Sequence, residues 1–231
     1  MSDKKKKAEQ DGILESSEVL AQELTKAEHF LESNKKIVFI VGGVLAAAIL
    51  IFIGGKFYLN SQNQLAQRDM FQAEYYFQMD SLNLALNGDG NYYGFLDIID
   101  EYAMTDAANL ANFYAGACYL KQGEFESALD HLKKFGADDF LIQARAYALI
   151  GDAYMEMGDY GSAANYYNKA ANYNSNIDFS PVYLQKAALA SEKDGDVKSA
   201  LENYEAIVSK YYGVAEYQEA KKHAARLKGM L

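Results

Sequence analysis

Six residues of this chain recur at one fixed offset. Gly116, Tyr119, Gly123, Phe125, Ala128 and Leu132 are answered 35 positions later by Gly151, Tyr154, Gly158, Tyr160, Ala163 and Tyr167. A weaker copy follows 37 positions further on at Ala188, Ser191, Gly195, Val197, Ala200 and Tyr204. A degraded one precedes the first by 34, at Leu82, Ala85, Asp89, Gly94 and Ile98. Self-similarity at this period means a unit that cannot bury its apolar face alone and must stack on copies of itself.

The residue types say which unit. Gly123, Gly158 and Gly195 stand where a first helix must stop, because a left-handed residue there satisfies trailing carbonyls without a Cβ clash. Gly116 and Gly151 fall inside that helix, where glycine costs about 1 kcal/mol relative to alanine. The same cost at the same register twice implies close helix–helix approach. Ala128, Ala163 and Ala200 are small for that reason on the second helix, and Tyr and Phe fill the gaps between pairs. Each copy therefore reads as two antiparallel helices joined by a tight turn. Only Pro181 interrupts the chain, and no Asn-Gly hairpin turn joins alternating runs, so the fold class is all-α.

Ile37 to Gly55 contains no charged residue. As a helix it rises about 28 Å, close to the thickness of a hydrocarbon core. A cleaved signal peptide would have a shorter apolar core and a small-residue cleavage site after it. Here 36 residues precede the run, "KFYLNSQNQ" follows it, and no cysteine stands directly after it as a lipoprotein would need. The expectation is an uncleaved transmembrane helix touching lipid over residues 37–55. Lys4–Lys7, Lys26, Lys35 and Lys36 precede it, and only Lys56 and Arg68 follow closely, which favours a cytoplasmic N-terminus and a stack outside. The inverted orientation is the weaker alternative. Ile13, Ser17, Leu20, Leu24, Ala27 and Leu31 share one helical face before the run. Two readings stand for that helix: a surface for membrane or partner, or a solvated extension of the anchor.

The repeats resemble the tetratricopeptide repeat (TPR), a roughly 34-residue helical hairpin with these residue classes at these spacings. Its usual early Trp is replaced by Asn112, Tyr147 and Leu184, and its usual closing Pro is absent. The expected architecture is a single N-terminal transmembrane helix followed by a TPR α-solenoid. Its divisions are a cytoplasmic tail with an amphipathic helix over 1–34, a transmembrane helix over 35–58, and a linker helix with a degenerate first repeat over 59–104. TPR repeats then cover 105–213 and a capping helix 214–231. The first helix is expected to run from the membrane to about Leu86, past which "NGDGN" turns. Asp138 or Asp139 is the expected cap of the middle pair, and Ser180 that of the last, ahead of Pro181.

The resemblance also implies a groove lined by the first helix of each pair. Its inward positions are Leu110, Phe113, Ala117 and Leu120, then Arg145, Asp152, Met155 and Glu156, then Val182, Gln185, Leu189 and Glu192. TPR domains that hold a chaperone's C-terminal carboxylate use Lys and Asn at fixed inward positions. Those positions here are Phe113, Ala117, Ala148, Asp152, Gln185 and Leu189, and Asp152 and Glu156 would repel a carboxylate. A Met- and Phe-bearing surface suits an apolar segment or partner helix. Any one of these residues has the alternative role of packing the stack.

Other functions find little support. A net charge of −10 gives no footprint for nucleic acid. His29, His131 and His223 show no metal-ligand spacing, Cys118 is the only cysteine, and no phosphate-cradling glycine loop precedes a Lys-Ser or Lys-Thr. No catalytic residue, metal or cofactor is expected.

The arrangement of charged segment, "SNKKIVFIVGG" membrane entry, degenerate first unit and repeats is similar to the YfgM-type ancillary subunits of the bacterial Sec translocon. That resemblance implies a non-catalytic scaffold in the inner membrane, with its TPR domain in the periplasm. Its partners would be translocon subunits, a PpiD-like membrane-anchored periplasmic chaperone and emerging polypeptides. The alternative is an adaptor for envelope assembly or regulation, serving outer-membrane or cell-wall machinery through the same groove.

Overall fold

A computed structural model describes Thr25 and residues 29–231. Most of the amphipathic segment expected over 13–31 lies outside the described residues. The chain divides into two compact units, 1–58 and 59–231. Helix α1, Lys35–Gln78, contributes to both.

In the first unit the described part of α1 is exposed along its apolar length. Phe39 is 79%, Ile51 75% and Phe52 68% exposed. This helix is long and apolar enough to cross a membrane.

The second unit is built from helices alone. The last turns of α1 are followed by the short α2 (Leu82–Asn87) and α3 (Phe95–Glu101). Three hairpins come next: α4 (Asp106–Gln122) with α5 (Phe125–Leu132), α6 (Phe140–Met157) with α7 (Tyr160–Tyr173), and α8 (Ser180–Asp194) with α9 (Val197–Lys210). Helix α10 (Tyr217–Lys228) packs on the last.

Each hairpin turns by the same device. Gly123, Gly158 and Gly195 have φ of 81°, 79° and 84°. The amide after each glycine donates back to the carbonyl of Tyr119, Tyr154 or Ser191, and the glycine's own amide donates to Leu120, Met155 or Glu192. Both bonds together form a Schellman cap. Asp159 and Asp196 then accept from Ser162 N and Ser199 N, each at 3.0 Å, and so start the second helices.

The glycines inside the first helices meet their partners as expected. A Cβ on Gly116 would lie 2.5 Å from Leu132 Cγ, and one on Gly151 2.7 Å from the Tyr167 ring. The third copy carries Ala188 and Tyr204 instead, both fully buried.

Two local expectations need correction. The first helix stops at Gln78, short of Leu86. Asp80 takes φ 57°, its amide donates to Phe77 O and the amide of Ser81 donates to Tyr76 O. This is the same cap with aspartate in the glycine's place, which its short polar side chain tolerates. Ser180 is also not the cap of α8. Its hydroxyl donates to Ala171 O at 2.8 Å and accepts from Asn176 N, while Asn176 Oδ1 accepts from the amides of Asp178 and Phe179. The asparagine orders the turn and the serine ties it to α7. For α6, Asp139 is the cap, accepting from Leu141 N and Ile142 N.

Polar ties hold the helices of the second unit in register. Asn63 accepts from Ala107 N at 2.9 Å, and Tyr102 donates to Asp69 at 2.7 Å, so the last turns of α1 are fastened to the start of the repeats. Asn109 grips Gly136 by both its amide and carbonyl, and Gln143 accepts from Ala137 N, closing the loop between α5 and α6.

Candidate functional site

The α4, α6 and α8 helices share one face, and two cavities open on it. The first, of about 480 Å³, lies between α4 and α6. Phe113, Ala117, Leu120, Leu149, Phe140 and Tyr183 form much of its wall, Phe77 of α1 closes one side, and Lys121 and Arg145 are the only charged residues lining it among the described residues. The second, of about 700 Å³, is lined by Asp152, Met155, Glu156, Lys186 and Leu189. Leu120 and Lys121 belong to both cavities.

The candidate residues thus divide. Phe113, Ala117, Leu120 and Arg145 meet at the first cavity, and Leu120, Asp152, Met155, Glu156 and Leu189 at the second. Phe113 and Ala117 are buried and give the cavity its floor, whereas Arg145, Glu156 and Leu189 are exposed. Gln185 and Glu192 line neither cavity. Glu192 is engaged by the terminal helix: it accepts from Tyr204 Oη at 3.0 Å and from Arg226, with His223 at 3.3 Å. Burial alone would raise its pKa, but Arg226, Tyr204 and His223 outweigh this and hold the carboxyl below its ordinary value.

Asp152 is not a free negative charge. It accepts from Tyr167 Oη at 2.6 Å and pairs with Lys186 at 2.7 Å. One carboxylate so bridges α6, α7 and α8. Its repulsion of an incoming carboxylate, expected from sequence, is compensated by the adjacent ammonium. Burial first, and this hydrogen bond second, push the Tyr167 phenol far above its usual value.

Lys121 is partly answered by Asp80 at 2.7 Å and lies over the Phe77 ring at 5.3 Å. Arg145 has no carboxylate within ion-pair distance among the described residues. Sequence reasoning missed Phe77, Lys121, Phe140, Leu141 and Tyr183. Phe77 precedes the first intact repeat, so repeat register could not point to it. Exposed apolar residues at a helix start, Phe140 and Leu141, were the available signal for that rim.

Cys118 and His131 are packed away. Cys118 is fully buried, and burial pushes its thiol up to about 12. It is a small core residue at neutral pH. His131 stacks on Tyr119 and bonds Asn112 at 3.0 Å, and burial lowers its pKa, so it sits neutral in the stack. Asn112 occupies the place of the usual repeat tryptophan, and this histidine contact is what it gains there.

A family model for the tetratricopeptide repeat matches residues 144–177, which span most of α6 and all of α7. Solved structures agree on the fold. The repeats of a Podosopora anserina protein assigned as a kinesin light chain, described as nearly identical and TPR-like, superpose with a TM-score of 0.50 at 16% identity. The match covers 74% of this chain and 86% of that one. A variant of the same protein gives 0.50 at 17% identity, covering 74% and 85%. The hairpins are TPR-like repeats. The search of curated proteins returned no match. The face formed by the first helices of the three hairpins, on which both cavities open, is the candidate surface.

Proposed function

We propose that the protein is a non-catalytic scaffold held in a bacterial inner membrane by residues 37–55, with its repeats in the periplasm beside the Sec protein-conducting channel. The observation that carries this reading is a chain that joins an exposed apolar helix of membrane length to TPR-like repeats with an open apolar cavity. An apolar surface of this extent is not left in water. Lipid is the solvent that suits a helix whose backbone is satisfied internally and whose side chains are apolar all round. The lysine bias before the helix supports a cytoplasmic N-terminus. In that setting the repeats dock a PpiD-like membrane-anchored chaperone and receive emerging polypeptides.

The test is affinity capture of the full-length protein from membranes solubilised in mild detergent, with mass spectrometry of what is retained. Channel subunits and the chaperone are the expected companions. Recovery of outer-membrane or cell-wall machinery in their place would support the envelope-adaptor alternative and overturn the translocon reading. A reporter fused after Leu231 checks orientation, and its expected activity is periplasmic.

A further inference from the structure

The cavity between α4 and α6 joins two properties. Its wall is apolar, with Phe77, Phe113, Leu120 and Tyr183 among its residues. Its charged lining is entirely cationic, in a chain whose net charge is −10. Asp80 partly answers Lys121, whereas no carboxylate of the described residues lies within ion-pair distance of Arg145. Arg145 is exposed at the cavity and free to form a bidentate pair. The neighbouring cavity differs: there Asp152 and Lys186 already pair, and Glu156 adds an acid.

We propose that this cavity receives a polypeptide segment in which a large apolar side chain stands next to a carboxylate, the side chain filling the pocket and the carboxylate pairing with Arg145. The inference rests on the protein-binding reading of the repeats and names the chemistry that they select. About 480 Å³ accommodates an aromatic or leucine-sized side chain with its flanking backbone. The apolar contact supplies affinity and the guanidinium supplies sign: a segment with lysine beside its apolar residue would bring like charges together. Selection for acidic partners is not what the acidic chain as a whole would favour, so the local pair has to act against the long-range field, and added salt should weaken that field's opposition.

The test uses full-length protein in detergent and two fluorescent synthetic peptides with the same Leu and Phe residues. One carries Asp and Glu between them, and the other carries Lys at those places. Fluorescence anisotropy is expected to show the acidic peptide binding at least about tenfold more tightly. Arg145→Glu should weaken it by about tenfold or more and shift preference toward the lysine peptide. Because Arg145 is exposed, circular dichroism should be unchanged. Ala117→Leu, which fills the cavity, should weaken both peptides. Equal binding of the two peptides, or an acidic-peptide affinity unaffected by Arg145→Glu, would overturn the proposal. If capture from membranes retains channel and chaperone while the peptides fail in this way, the selectivity alone is wrong. If capture fails while the acidic peptide binds as expected, the translocon assignment alone is wrong.

Discussion

At the scale of single residues, the two mid-helix glycines are read as contact points, and the structure gives the contact. At Gly151 a methyl group would meet a Tyr167 ring that is 3% exposed and fixed by Asp152. That ring cannot yield easily. Gly151→Ala should therefore destabilise by about 1–3 kcal/mol through overpacking, although alanine is the better helix former by about 1 kcal/mol. Chemical denaturation measures the difference, and a variant as stable as the parent would contradict the close approach. The buried tyrosines make a second prediction. Burial and then Asp152 raise Tyr167, burial and then Glu192 raise Tyr204, and the Asp69 hydrogen bond with burial raises Tyr102 to about 12. Their ordinary value is about 10. Between that pH and their folded values the folded state holds more protons than the unfolded one. Their contribution to stability is complete below pH about 10 and declines as pH rises through the folded values. Phenolate absorbance should report ionisation of these groups together with loss of helix, later than that of exposed tyrosines. Early ionisation of every tyrosine with helix retained would contradict the assignment.

At the scale of helices, most of the repeat architecture was legible because its signals are local. Glycine at a left-handed stop and aspartate before a second helix carry their meaning in two or three positions. Where the same geometry uses another residue, the reading failed: Asp80 ends α1 as glycine ends α4, and Asn176 rather than Ser180 orders the turn before α8. The candidate site was legible only where repeat register applies. Phe113, Ala117, Leu120 and Arg145 follow from register, but Phe77 reaches the same cavity from outside the repeats. Glu192 shows the opposite failure. Register points it inward, yet Arg226 and His223 on α10, a helix outside the repeat pattern, engage it. This makes α10 a closing element with a measurable grip. Leu227 is 1% exposed and packs with Tyr204 and Ile207. Leu227→Ala should cost about 2–4 kcal/mol, and hydrogen exchange should quicken in α10 and α9 before α4. Uniform acceleration through all the hairpins would mean that the stack unfolds as one block instead of from its end.

At the scale of the whole molecule, stacked hairpins give a surface while, in the proposed reading, the apolar helix gives a location, and neither property alone is a function. The repeats are stabilised by neighbour contacts, so a binding face can be assembled without buried catalytic groups. The face carries an apolar cavity with cations beside a mixed one with a neutralised carboxylate, which is a basis for choosing among partners. Site-specific photocrosslinking in intact cells tests this central claim most directly. A photoreactive residue at Leu141 or Met155, on the candidate face, should form adducts with a polypeptide partner, and Arg145→Glu should diminish the Leu141 adduct. The same probe at Lys169, which lines neither of the two cavities on that face, should give little. Adducts from Lys169 but none from Leu141 or Met155 would contradict the account.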